Sequence, residues 1–240
     1  MDWLKGEALA NKIKDISGTD KIMLGFSRGK DAIGAAIELK KYFDVVPVFY
    51  EGCPGLKFVA DSLAYYERAL FQRKIHVVPH PNFFKKLRNY MFQDYYGFYV
   101  INEIPFPRWT HDDVHRWVIE KEGLPKTTFI ATGVRAADSV TRRTAIAKHG
   151  PITLSKRTVH FIWDWNKERL ISEMQRANIR LPVDYALWGR TFDGVDARFT
   201  IPMKRELPED YERLKRWFPF ADADQVRYCR IRREQGQEIV

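Results

Sequence analysis

Three observations place this chain in the α/β class, on a doubly wound parallel sheet of about five strands. Short apolar runs, too brief for buried helices, alternate with stretches of helical spacing, which is the rhythm of βαβ units. The first of these runs ends in a basic glycine loop that opens a helix, all within Lys21 to Phe43. With 240 residues, 45% hydrophobic and 14% aromatic, the chain has material for one such domain with an elaborated end.

Residues 3 to 16 read as an amphipathic helix with Leu9, Ile13 and Ile16 inward and Ser17-Gly18 as its stop. Ile22, Met23, Leu24 and Phe26 form the first buried strand, and Ile33, Ala36, Ile37 and Lys40 the helix after its loop. Val45 to Tyr50 is the second strand, although Pro47 removes one ladder hydrogen bond. A turn at Gly52-Cys53-Pro54-Gly55 leads into a helix that runs through Leu56, Leu63 and Leu70 to about Arg73. Lys74 to Pro79 is a short third strand, and Asn82 to Phe92 looks helical.

Asp94 to Trp109 has no clean period and is crowded with aromatics and prolines, so it reads as a long loop, either a lid or an irregular cover for a sheet edge. Thr110-x-x-Asp113 is a capping box for a helix through Trp117. Thr128 to Thr132 is the fourth strand and Thr158 to Trp163 the fifth, and Asn166 caps a helix through Leu170 and Met174. Beyond Ala177 the rhythm ends. The expected organisation is an N-terminal helix over 1–19, an α/β domain over 20–175, and a helical, turn-rich extension over 176–240.

Composition narrows the function classes. No apolar stretch approaches membrane-spanning length, and MDWLKGEALANK lacks the apolar centre of a secretion signal. Two cysteines, Cys53 and Cys229, make neither a disulfide framework nor a metal cluster, so a reducing, intracellular and cytoplasmic setting is expected. Among the six histidines, His111 and His115 are four apart on one helix but have no evident third metal ligand. The formal charge of +9 calls for an anionic partner.

The loop suggests which anion. Unpaired N–H groups and the positive end of a helix dipole favour phosphate, Gly29 permits close approach, Ser27 adds a hydroxyl, and Arg28 or Lys30 adds charge. Its glycines, Gly25 and Gly29, are separated by three residues and Asp31 follows Lys30, which excludes the common ATPase phosphate loop. Ser27-Arg28-Gly29-Lys30-Asp31-Ala32 instead resembles the Ser-Gly-Gly-x-Asp-Ser loop of the PP-loop ATP pyrophosphatases, with Arg28 in place of Gly and Ala32 in place of Ser. A second segment leaves the fourth strand. Gly133-Val134-Arg135, Ser139 and Arg142 resemble the second motif of the phosphoadenosine phosphosulfate (PAPS) reductase and ATP sulfurylase branch, and Ile162-Trp163-Asp164-Trp165 resembles a further stretch. On one continuous helix Arg135, Ser139 and Arg142 would share a face. Both segments leave carboxyl ends of strands, where ligands bind in open sheets.

The resemblance covers roughly residues 20 to 175 and implies a Rossmann-like, adenine nucleotide alpha hydrolase-like fold that binds an adenine nucleotide. It implies phosphates at Ser27, Arg28, Gly29, Lys30, Asp31, Gly133, Arg135, Ser139 and Arg142, adenine near Phe49 and Tyr50, and Mg²⁺ at Asp31. The implied reaction is ATP cleavage between the α and β phosphates, with Lys30, Asp31 and Arg135 catalytic and an unidentified anionic acceptor adenylated. A PAPS reductase-like reaction has Cys229 as its sole candidate nucleophile, without the family's Glu-Cys-Gly-His setting. Cys53 reads as a half-buried bystander. The altered loop also leaves open a non-catalytic, nucleotide-dependent regulatory module.

A nucleic acid, tRNA or DNA, stays open as partner. Arg227, Arg230, Arg232 and Arg233 crowd the C-terminus, and Arg108 lies beside Tyr95, Tyr96, Phe98, Tyr99 and Trp109, a combination suited to phosphates and stacked bases.

Overall fold

The computed structural model describes residues 2–106 and 108–236, so Pro107 of the aromatic stretch and the last four residues of the extension lie outside the described residues. The chain divides into two compact units. The first comprises Met1–Tyr50, Leu63–Val78 and His111–Leu181, and the second Glu51–Ser62, Pro79–Thr110 and Pro182–Val240.

The sheet is built from β1 (Lys21–Gly25), β2 (Asp44–Glu51), β3 (His76–Pro79), β4 (Ile130–Thr132), β5 (Ile152–Thr153) and β6 (Thr158–His160), in the order β3-β2-β1-β4-β6-β5. β1 runs parallel to β2 on one side, with Ile22 opposite Val45, and to β4 on the other, with Met23 opposite Ile130. β4 and β6 are also parallel. The chain therefore winds one way from β1 to β2 and the other way from β1 to β4, which makes the β1/β4 boundary the switch point where open sheets bind ligands.

Among the described residues six strands replace the expected five. The extra one, β5, is a two-residue antiparallel edge on β6 behind Gly150-Pro151, too short to carry a period. The strand expected over 158–163 stops at His160, because Trp163 N donates to His160 O and turns the chain.

α1 (Gly6–Ser17) and α2 (Lys30–Leu39) follow the expected spacing. α2 packs on α8 (Lys167–Arg176), where Gly34 leaves room for Leu170 and Trp165, and the Asn166 side chain accepts from Arg169 N as its cap. Phe26, fully buried, meets the edges of Tyr66 and Phe71. The helix expected to reach Arg73 is α3 (Lys57–Tyr66), and Glu67–Phe71 then widens into a π-turn closed by Gln72 in the left-handed region.

In the second unit, α4 (Pro81–Arg88) is followed by α5 (Tyr95–Glu103), so the expected long loop contains a helix, with Asp94 accepting from Gly97 N as its cap. Its only buried residue is Ile101, and Tyr95, Tyr96, Phe98 and Tyr99 are exposed, which is why no apolar stripe marks it. α6 (His111–Lys121) and α7 (Val140–His149) belong to the first unit. α9 (Asp184–Trp188), α10 (Ala197–Glu206), α11 (Pro208–Trp217) and α12 (Ala221–Glu234) complete the second unit.

Buried carboxylates organise this second unit. Asp210 accepts from the backbone N–H groups of Lys57 (2.5 Å) and Phe58 (3.1 Å), capping α3 from α11. Asp224 accepts from Ala197 N (2.8 Å) at the start of α10, and Asp184 from Phe192 N (2.8 Å). Phe58, Trp188, Phe192 and Phe199 pack together above these caps. Asp210→Ala strands two N–H donors at once, and the expected loss is about 1–3 kcal/mol in urea unfolding, with Glu209→Ala near zero as the exposed control.

Candidate functional site

The loop after β1 begins at Phe26. Ser27 is exposed and its Oγ accepts weakly from Gly29 N (3.4 Å). Arg28 takes φ +63°, a left-handed conformation that favours glycine, yet its side chain is only 1% exposed and lies 5.5 Å over the Phe49 ring. Gly29 is the N-cap of α2 and supplies no side-chain cap, and the positive end of the helix dipole lies at this loop.

The segment after β4 does not form the single helix expected of it. Arg135 is extended, Ala136–Asp138 is one 3₁₀ turn, and α7 starts only after Ser139, whose Oγ caps it by accepting from Arg142 N (3.2 Å). Arg135, Ser139 and Arg142 therefore do not share one helical face, and the Ser139 hydroxyl serves its own helix. Asp138 gathers the two arginines instead. Its Oδ1 accepts from Arg135 Nη2 (2.7 Å) and its Oδ2 from Arg142 Nη1 (2.7 Å) and Arg135 N (3.1 Å).

Asp31 ties the two segments together. Its Oδ2 accepts from Lys30 Nζ (2.8 Å), and its Oδ1 lies 2.9 Å from Arg135 Nε, with the N–H pointing off that line so that the contact is an ion pair rather than a hydrogen bond. Arg135 is 95% buried by side chain, and its Nη1 makes no hydrogen bond. A buried guanidinium with an unused donor, beside a helix start without a side-chain cap, is an arrangement suited to an anion. Gly133 allows this junction. A Cβ there would lie 2.6 Å from the Asp31 carbonyl carbon and oxygen and 2.8 Å from Ala32 N, all of them backbone.

Both oxygens of Asp31 thus face cations of the chain itself, and among the described residues no group of three His, Cys, Asp or Glu can hold a metal. The fit of Asp31 to Mg²⁺ is therefore poor.

At the end of β2, Phe49 is buried against Arg28, and Tyr50 Oη is 3.1 Å from His115 Nε2 with His111 packed 5.1 Å from its ring. Burial, then the nearby Asp112, raises the Tyr50 phenol pKa, so this hydroxyl stays protonated. The His111/His115 pair noted for its spacing thus closes on a tyrosine. Thr132 and His160 end β4 and β6 and share a hydrogen bond (2.7 Å).

Both thiols, Cys53 and Cys229, belong to the second unit. Cys53 is fully buried rather than half-buried, and burial pushes its pKa up to about 12, so it is not a nucleophile near neutral pH. Cys229 is half-buried on α12 beside Lys204, Asp222, Arg230 and Arg233. Among the described residues no helix is long and apolar enough to cross a membrane.

No family model matches the chain, and no curated protein matches it. Among solved structures it is similar to the phosphoadenylyl-sulfate (PAPS) reductase from Candida auris in a phosphate complex, at 12% identity over 80% of this chain and 88% of that one, with a TM-score of 0.46. It is also similar to a predicted subunit of tRNA methyltransferase from Methanocaldococcus jannaschii, at 15% identity over 80% and 90%, with a TM-score of 0.35. No residue role is carried across from either.

Two predictions follow from this geometry. Gly133→Ala forces β4's exit away from α2, and a loss of about 1–3 kcal/mol is expected in denaturant unfolding. The second concerns pH. Burial lowers the His115 and His160 pKa values below the ordinary 6.5, with Arg142 reinforcing the shift at His160. Each histidine binds a proton more weakly folded than unfolded, so stability is complete above that ordinary value and falls as pH drops below it. Melting temperatures between neutral and mildly acidic pH should decline for the wild type and decline less for His115→Gln/His160→Gln.

Proposed function

We propose that the chain binds the phosphates of an adenine nucleotide, ATP, at the β1/β4 switch point and cleaves it between the α and β phosphates. The observation that carries this reading is the buried Arg135, held by Asp31 and Asp138, with Nη1 unused beside the start of α2, which has no side-chain cap. Its likeness to the PP-loop pattern in order and position supports the same reading: Ser27 to Asp31 after the first strand, Gly133 to Arg142 after the strand beside it.

In this reaction an oxygen of an anionic acceptor attacks the α-phosphorus. The new oxygen–phosphorus bond forms as the α–β bridging bond breaks, and pyrophosphate leaves with the electron pair. The chain supplies positioning and charge. Arg135 and the α2 N–H groups hold phosphate oxygens, Lys30 turns from Asp31 to the leaving pyrophosphate, and the adenine lies along β2 by Phe49 and Tyr50. No covalent enzyme nucleophile is needed, so neither Cys53 nor Cys229 takes part.

Pyrophosphate release from ATP with Mg²⁺ and candidate acceptors tests the reaction, and ADP as product would contradict the proposed bond cleavage. Arg135→Ala should lower the rate by about 10²–10³-fold. Calorimetry with ATP, AMP and PAPS should show binding weakened in Ser27→Ala/Lys30→Ala, and unchanged affinity there would remove the site. Nucleotide binding without any turnover would assign the chain to regulation instead.

A further inference from the structure

The 25 residues from Ser139 to Trp163 contain no Asp or Glu, in a chain that has 31 of them. The same stretch holds Arg142, Arg143, Lys148, Lys156 and Arg157, all exposed. Among the described residues only Arg142 is ion-paired, to Asp138, and the other four form no ion pair. α7 buries only Ile146.

Between α7 and the β5 turn runs an open groove of about 610 Å³. Its lining includes Ile146, Ile152 and Leu154 as apolar surface, with His149, Ser155 and His160 as polar groups. His160 uses Nδ1 on Thr132, leaving Nε2 as the ring's other polar atom.

The basic C-terminus looks different in the fold. On α12, Arg227 pairs with Asp224 (2.6 Å), Arg230 with Glu234 (2.8 Å), and Arg232 lies over Tyr228. That helix neutralises much of its own charge, whereas the face around α7 does not.

We infer that the acid-free stretch of α7 and the turn after β5 docks a single-stranded nucleic acid, with a base lodged in the groove beside His149 and His160. Five cations spread over a helix and a turn are too dispersed for one small anion, and they suit successive phosphates. An acidic protein needs only the cations, but a polynucleotide also needs an apolar floor and rings on which bases stack, and the groove supplies both. A strand on this face starts at Ser139, directly after the carboxylate that holds Arg135 and Arg142. Its serving as the adenylated acceptor rests on the nucleotide reading, but its docking does not.

The test uses the whole chain without nucleotide and a fluorescent single-stranded RNA of about 20 nucleotides at about 50 mM salt. Arg143→Glu/Lys148→Glu/Lys156→Glu should weaken binding by about tenfold or more and flatten the log–log salt slope by about 2. The neutral variant Arg143→Gln/Lys148→Gln/Lys156→Gln should weaken it less, with wild-type melting, since these side chains touch no acid. Arg227→Glu/Arg230→Glu should bind as wild type. No binding by the wild type, an unchanged triple variant, or loss in the α12 variant would overturn the proposal. So would tighter binding of duplex, or equal displacement by polyglutamate. Because ATP is absent throughout, the outcome is independent of whether the nucleotide site exists.

Discussion

A single buried charge sets the terms for the first unit. Arg135 is almost wholly removed from water, and a guanidinium left there without partners would be prohibitive. Two carboxylates relieve it from different elements, Asp31 from the first turn of α2 and Asp138 from the 3₁₀ turn before α7. The loop after β1 and the segment after β4 are therefore fixed to each other through one side chain. Lys30 and Arg135 meet Asp31, and Arg135 and Arg142 meet Asp138, so three cations and two carboxylates gather at this junction.

The strand–loop–helix at the start was legible because each level agreed: a continuous apolar run, a glycine interruption, then helical spacing. That both motif segments leave strand ends was legible as well, but the strand order that makes β1 and β4 neighbours was not. Asp138 was not legible, since an acid between arginines reads as ordinary charge alternation until a turn brings both arginines to it. Nor was the break at Ser139, because Ser as a helix N-cap and Ser on a helix face leave the same letter at that position. α5 escaped because its aromatics surround it rather than line one side, and periodicity detects only one-sided burial.

The two units handle charge in opposite ways. The second turns Asp184, Asp210 and Asp224 inward onto backbone N–H groups, so its alternating acids and bases are more than a solvated surface. The first leaves a run of cations with few acids near it.

Arg28 shows how far a backbone and its side chain can serve separate masters. The left-handed turn at this position is one that glycine enters freely, and any other residue holds it against a cost of about 1–2 kcal/mol. Yet the arginine's stem and guanidinium fill interior space against Phe49. Replacement by glycine would ease the turn and hollow the interior, while an aliphatic side chain would keep the filling and the awkward turn but discard the charge. Neither exchange is neutral, so the position is pinned by two unrelated demands. An exchange for glycine here would require the surrounding packing to change in step.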